Sequence, residues 1–93
     1  MGRTRYSKYG YIVFKAQRGW VAYNTAKQFE EGHTHLCSLQ SAKDAIRFCV
    51  EGRVPMKADI YYLISLQRLT KNQDYYNRLQ ERIEEVQANG RYC

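Results

Sequence analysis

The sequence predicts an α+β fold: an N-terminal three-stranded antiparallel sheet packed against two or three C-terminal helices. Three observations predict it. Residues 9–38 hold short runs that alternate with a period of two. Residues 39–88 hold apolar side chains spaced by three and four. The change of period happens once, with no repeat and no linker, as in one α+β domain. Ninety-three residues leave room for a single core. The reading divides the chain into a basic arm (1–8), the sheet (9–38), the helices (39–88) and a frayed tail (89–93).

The first strand is read from "YGYIVFKA" (9–16), rich in aromatic and β-branched residues. Ile12 and Phe14 alternate with Tyr11, Val13 and Lys15. "QRG" (17–19) is a turn with Gly19 at positive φ. "WVAYN" (20–24) returns as the second strand, with Phe14 and Trp20 expected in the core. "TAKQFEEG" (25–32) connects onward through a helical turn anchored by Phe29. "HTHLCS" (33–38) is the third strand, with His33, His35 and Cys37 on one side and Thr34 and Leu36 on the other.

The first long helix carries Leu39, Ala42, Ala45, Ile46, Cys49 and Val50 on one stripe. Ser41 or Ser38 caps it, and Gly52 and Pro55 end it. Cys49 falls on the apolar stripe as a buried, inert thiol. "MKADIYYLISLQRLT" (56–70) presents Ile60, Leu63, Ile64 and Leu66. Asn72 caps the last helix, "QDYYNRLQERIEEVQ" (73–87), where Arg78–Glu81 and Arg82–Glu85 are spaced to pair.

The net charge of +6 is unevenly placed. Residues 1–28 hold Arg3, Arg5, Lys8, Lys15, Arg18 and Lys27 and no acid, while positive and negative residues cancel over 29–93. A surface of one sign attracts a polyanion. Tyr11 and Tyr23 stand among these cations, and rings interleaved with cations suit single-stranded nucleic acid. A second set, Tyr61, Tyr62, Tyr75 and Tyr76, surrounds the loop before the last helix and is a candidate protein-binding or homodimer surface.

The six residues "GHTHLC" (32–37) hold both histidines and one cysteine. His33, His35 and Cys37 on one strand face could converge on a metal, but the paired spacing of a structural zinc site is missing. Two histidines could also act as acid and base on a phosphodiester. Side chains two apart on a strand are rooted only roughly 6–7 Å apart, too close to flank a phosphorus in line. No P-loop, dinucleotide fingerprint or hydrolase signature occurs, so no cofactor and no catalytic residue is assigned.

The N-terminus is polar and basic, unlike a secretory leader. The three cysteines, Cys37, Cys49 and Cys93, fit free thiols in a reducing cytoplasm. No apolar run is long enough to span a bilayer, so no membrane association is expected.

The run Trp20–Asn24, then Gly32–His35, then Pro55 after an alanine-rich helix resembles short reading frames of bacterial phages and mobile elements, over roughly residues 9–66. That resemblance implies a small non-enzymatic protein that binds host machinery, defence nucleases included, as anti-CRISPR proteins do. Many such inhibitors are acidic mimics of DNA. This chain is basic, so its partner would be nucleic acid, a nucleoprotein complex or an acidic groove on a host protein.

Overall fold

The computed structural model describes residues 4–88. Strands β1 (Thr4–Lys8), β2 (Tyr11–Lys15), β3 (Trp20–Asn24) and β4 (His33–Leu36) form one antiparallel sheet in the order β1-β2-β3-β4. Helices α1 (Phe29–Gly32), α2 (Leu39–Glu51), α3 (Ile60–Leu69) and α4 (Gln73–Ala88) complete an α+β fold.

The sheet therefore has one strand more than the sequence predicts. The added strand is Thr4–Lys8, read above as part of an arm. Tyr9 and Gly10, read as the start of the strand at 9–16, form a two-residue turn instead, with Lys8 paired to Tyr11 across it. Both turn residues have positive φ, 53° at Tyr9 and 83° at Gly10, as a type I′ turn requires. Asn or Asp is the usual residue at the first of these positions, so a tyrosine there hid the turn. The strand was hidden too, because "TRYSK" is polar at four of five positions and only Tyr6 is half-buried. An edge strand tolerates that composition, since its charges also discourage pairing with other chains.

The register assigns each side chain to a face. Val13, Ala22 and Thr34 are cross-strand neighbours and face the helices. Val13 and Ala22 pack on Ala42, Ala45 and Ile46 of α2, Leu63, Leu66 and Leu69 of α3, and Tyr75, Leu79 and Ile83 of α4. Three alanines let α2 approach the sheet closely. Buried polar groups on this face are paired. Thr34 Oγ1 donates to Ser65 Oγ at 2.7 Å, and Asn24 Nδ2 donates to the Leu69 carbonyl at 2.7 Å. These bonds fix the sheet against α3, because a buried polar group left unpaired is costly.

The opposite face is closed by α1. Phe14 and Val21 are buried there, and Phe29 packs on Phe14. The Phe29 ring lies 6.3 Å from that of Phe14, 5.1 Å from that of Tyr23 and 4.1 Å from that of His33, parallel to the imidazole within 3°. Phe14 thus belongs to a core, but to the one remote from α2. Trp20 lies on the helix side and is only half-buried.

Helix starts follow their caps. Ser38, not Ser41, caps α2, its Oγ accepting from Ser41 N at 3.0 Å. Asp59 caps α3 and Asn72 precedes α4, each side chain accepting from the backbone N–H three residues on. Arg82–Glu85 is an ion pair at 3.0 Å. Arg78 instead donates to the Gly52 carbonyl at 2.9 Å, tying α4 to the end of α2. The tail at 89–93 lies outside the described residues.

Candidate nucleic-acid interface

The helices do not cover β1. A cleft of about 400 Å³ opens between β1 and α2, lined by Tyr6, Lys8 and Tyr9 on the hairpin side and by Gln40, Lys43, Asp44, Ile46, Arg47, Val50 and Glu51 on the helix side. The α2 residues recur at three and four, so the helix turns one continuous stripe into the cleft. The Lys43 ammonium crosses to the Tyr6 ring, 5.1 Å from its centroid, and the Lys8 ammonium lies 5.3 Å from the Tyr9 ring. Both distances suit cation–π attraction.

Beyond one end of the cleft, Arg5 and Lys15 flank one indole. The Arg5 guanidinium is 5.7 Å and the Lys15 ammonium 5.6 Å from the Trp20 ring centroid. Arg5 sits where the β1–β2 register shifts between Thr4 and Tyr6. Such a bulge re-aims a side chain, and here it brings Arg5 to the helix side of the sheet. Among the described residues, Arg5, Lys8, Lys15 and Lys43 make no ion pair, whereas Arg47 pairs with Asp44 at 3.3 Å.

The other N-terminal cations are placed differently. Arg18 is exposed in the turn between β2 and β3. Lys27 has turned to the last turn of α3, donating to the Arg68 carbonyl at 2.7 Å and the Thr70 carbonyl at 3.3 Å. A cation there caps the negative end of a helix. Partial burial lowers the Lys27 pKa, with Glu31 opposing the shift and Arg68 and Lys71 adding to it. Arg3 lies outside the described residues.

Neither tyrosine singled out among the cations lines the cleft. Tyr11 points at the helix layer, and burial, with Cys49 nearby, pushes its pKa up to about 12. Tyr23 lies on the opposite face, its hydroxyl donating to the Lys27 carbonyl. Of the rings that do line the cleft, Tyr6 comes from the segment read as an arm and Tyr9 from the start of the segment read as the first strand. Lys43 and Arg47 were also missed, because they belong to the electrically neutral part of the chain. Their spacing of four on a helix was the one available signal.

The four C-terminal tyrosines divide evenly. Tyr75 is fully buried and donates to the Arg53 carbonyl at 2.7 Å, and Tyr62 donates to the Ser41 carbonyl at 3.2 Å. Tyr61 and Tyr76 are exposed, Tyr61 by 81%.

The histidines occupy the sheet face opposite the cleft. His33 is stacked on Phe29, and its Nδ1 is bonded to the Phe29 carbonyl. The His35 ring stands edge-on at 5.2 Å. Cys37 lies past the end of β4 and is exposed, so it does not join a strand face with them. Among the described residues no three His, Cys, Asp or Glu side chains are grouped so as to hold a metal ion. Burial pushes the Cys49 thiol up to about 12, far from a reactive thiolate. No helix of the described residues is long and apolar enough to cross a membrane. No protein-family model, no curated protein and no solved structure matches this chain.

Proposed function

We propose that this chain is a small non-enzymatic binding protein that engages nucleic acid, free or within a nucleoprotein complex, through its basic hairpin and α2. The observation that carries this reading is the convergence of Arg5, Lys8 and Lys15 with Lys43 and Arg47 around the rings of Tyr6, Tyr9 and Trp20. Cations track phosphates while rings offer stacking surfaces. The resemblance to phage and mobile-element proteins, anti-CRISPR proteins among them, supports a role in the bacterial cytoplasm as an inhibitor of a defence nuclease. The histidines lie on the other face of the sheet, away from this surface, which supports binding rather than cleavage.

The test is the salt dependence of binding to a labelled oligonucleotide, followed by anisotropy. Counterion release contributes a log–log slope of about −0.7 for each phosphate neutralised on a single strand. Engagement of several of these cations therefore gives a steep fall in affinity. Lys8→Glu with Lys43→Glu should abolish binding at moderate salt. No binding at low salt, or a slope near zero, overturns the reading.

A second reading has its own observation. Tyr61 is 81% exposed on α3, and Ile64, one turn on, is exposed beside it. Such a stripe suits contact with a protein partner or a second copy of the chain. On that reading Tyr61→Ala removes the partner from a nuclease-treated pull-down, and Lys8→Glu leaves it in place.

A further inference from the structure

We propose that the β1–α2 cleft takes one unpaired base of a single-stranded nucleic acid, and that it favours a base carrying an exocyclic amino group. This deepens the nucleic-acid-binding reading above and rests on it.

Size and shape come first. A cleft of about 400 Å³ falls in the range of roughly 300–1,000 Å³ typical of small-ligand sites. It is concave, lined by the half-buried Tyr6 ring, with the exposed Tyr9 ring at its mouth. A duplex keeps the faces of its bases stacked on one another and cannot offer them to a recessed tyrosine. An unpaired base can be turned out and stacked.

The backbone points the same way. Tyr9 is the one described non-glycine residue with positive φ, a region that disfavours large side chains. The turn holds its ring at the mouth of the cleft, 69% exposed, with the Lys8 ammonium 5.3 Å from its centroid.

The acids supply the third observation. A cleft built for phosphate alone would exclude carboxylates, yet Asp44 and Glu51 line this one. Asp44 Oδ1 accepts from Gln40 Nε2 at 2.9 Å and from Arg47 Nη2 at 3.3 Å. Its second oxygen has no partner among the described residues. A fixed carboxylate oxygen accepts a hydrogen bond from the amino group of cytosine or adenine, or from the 2-amino group that guanine carries on its other edge. Thymine and uracil set a carbonyl at the corresponding edge, which a carboxylate repels. Lys8 and Lys43 then meet the phosphates on either side of the base.

The experiment compares labelled oligo-dC, oligo-dT and a mixed-sequence duplex of equal length at neutral pH by anisotropy. Oligo-rC and oligo-rU serve as the RNA arm. The expected result is oligo-dC about tenfold tighter than oligo-dT, as one specific base contact allows, with the duplex weaker than oligo-dC. The same ordering should hold for rC over rU, the tighter sugar identifying the source. Asp44→Ala removes a negative charge, so it should tighten oligo-dT while bringing the dC/dT ratio to about one. Tyr9→Ala should weaken both single strands and leave the duplex unchanged. Equal, salt-sensitive binding of all three probes overturns the base-in-cleft inference and leaves phosphate binding standing. So does a dC/dT ratio that survives Asp44→Ala. Failure of every probe to bind at low salt removes both readings together.

Discussion

Tyr9→Asn should make this protein more stable and a worse binder. The two effects have separate physical sources. Tyr9 has φ 53° in a two-residue turn completed by Gly10 at φ 83°. For an L-residue with a bulky side chain the left-handed region costs roughly 1–2 kcal/mol. Asn visits that region more readily, and Asn-Gly is the preferred pair for this turn. The gain is partly offset by loss of the Lys8–Tyr9 contact at 5.3 Å, worth about 0.5–1 kcal/mol at an exposed site. The ring is 69% exposed, so little buried area is lost. The net expectation is a stabilisation of about 0.5 kcal/mol. In a domain of this size 1 kcal/mol moves Tm by about 4–8 °C, so the rise should be a few degrees.

Binding should move the other way. Loss of a stacked base costs roughly 1–3 kcal/mol, or at least about a fivefold weakening for an oligonucleotide that uses the cleft. Thermal melts followed by circular dichroism and anisotropy titrations on the same preparations measure both quantities. Tyr9→Phe is the control, since it keeps the ring and the backbone strain and should change neither greatly. A lower Tm for Tyr9→Asn would show that the turn is not strained by the tyrosine. An unchanged affinity would show that the ring is not a binding surface.

Gly19→Ala should be strongly destabilising, by more than about 1 kcal/mol in a denaturant titration. Gly19 has φ 79°, and a Cβ there would stand 2.5 Å from the Leu36 carbonyl oxygen, a backbone atom that cannot step aside. Lys27→Ala should lower stability by about 1 kcal/mol through loss of the α3 cap, while oligonucleotide affinity stays as in the parent; a large drop in affinity would return Lys27 to the interface. Stability should also fall in alkali. Burial raises the pKa of Cys49 from 9.0, and of Tyr11 and Tyr62 from 10.0, each to about 12, and raises that of Tyr75 further. The folded state therefore holds protons that the unfolded chain releases. The contribution is complete below about pH 9 and is lost as pH climbs toward 12 and beyond. Tyrosinate absorbance should accordingly lag for these rings until the chain unfolds; a single titration near the ordinary tyrosine pKa, with no loss of stability, would contradict their burial.

What the sequence showed and what it concealed follow from the reach of each interaction. Period-two alternation in "YIVFK" and "WVAYN", and the stripe Ala42–Ala45–Ile46, record burial directly, so β2, β3 and α2 were legible. The caps at Asn72 and the stop at Gly52 are local chemistry and were legible too. β1 was not, because an edge strand buries almost nothing and leaves no apolar pattern in "TRYSK". The facing of Tyr11 and Tyr23 was readable only as alternation. Which side the helices would cover depended on contacts between distant residues, Asn24 with Leu69 and Thr34 with Ser65. Lys27 illustrates the limit of counting charge. It contributes to the excess in residues 1–28, yet its ammonium is engaged by carbonyls more than forty residues away.

The position of the cleft follows from dimensions. Strands lie about 4.8 Å apart and helices pack roughly 8–10 Å apart, so helices set to cover the inner strands leave an outer strand overhanging. α2 and α3 settle on β2, β3 and β4, where the small side chain of Ala22 and the paired polar groups of Thr34 and Asn24 accept them. β1 then projects beyond α2, joined to the rest chiefly through β2. The space beneath it is lined by Lys43 and Arg47 of α2 and Lys8 of β1, with Asp44 and Glu51 of α2 beside them. Three cations and two acids face it, Arg47 is paired with Asp44, and the Tyr6 and Tyr9 rings carry the ammonium groups of Lys43 and Lys8. Lys8 and Lys43 make no ion pair among the described residues, so the cleft keeps a demand for anions where two rings are already in position.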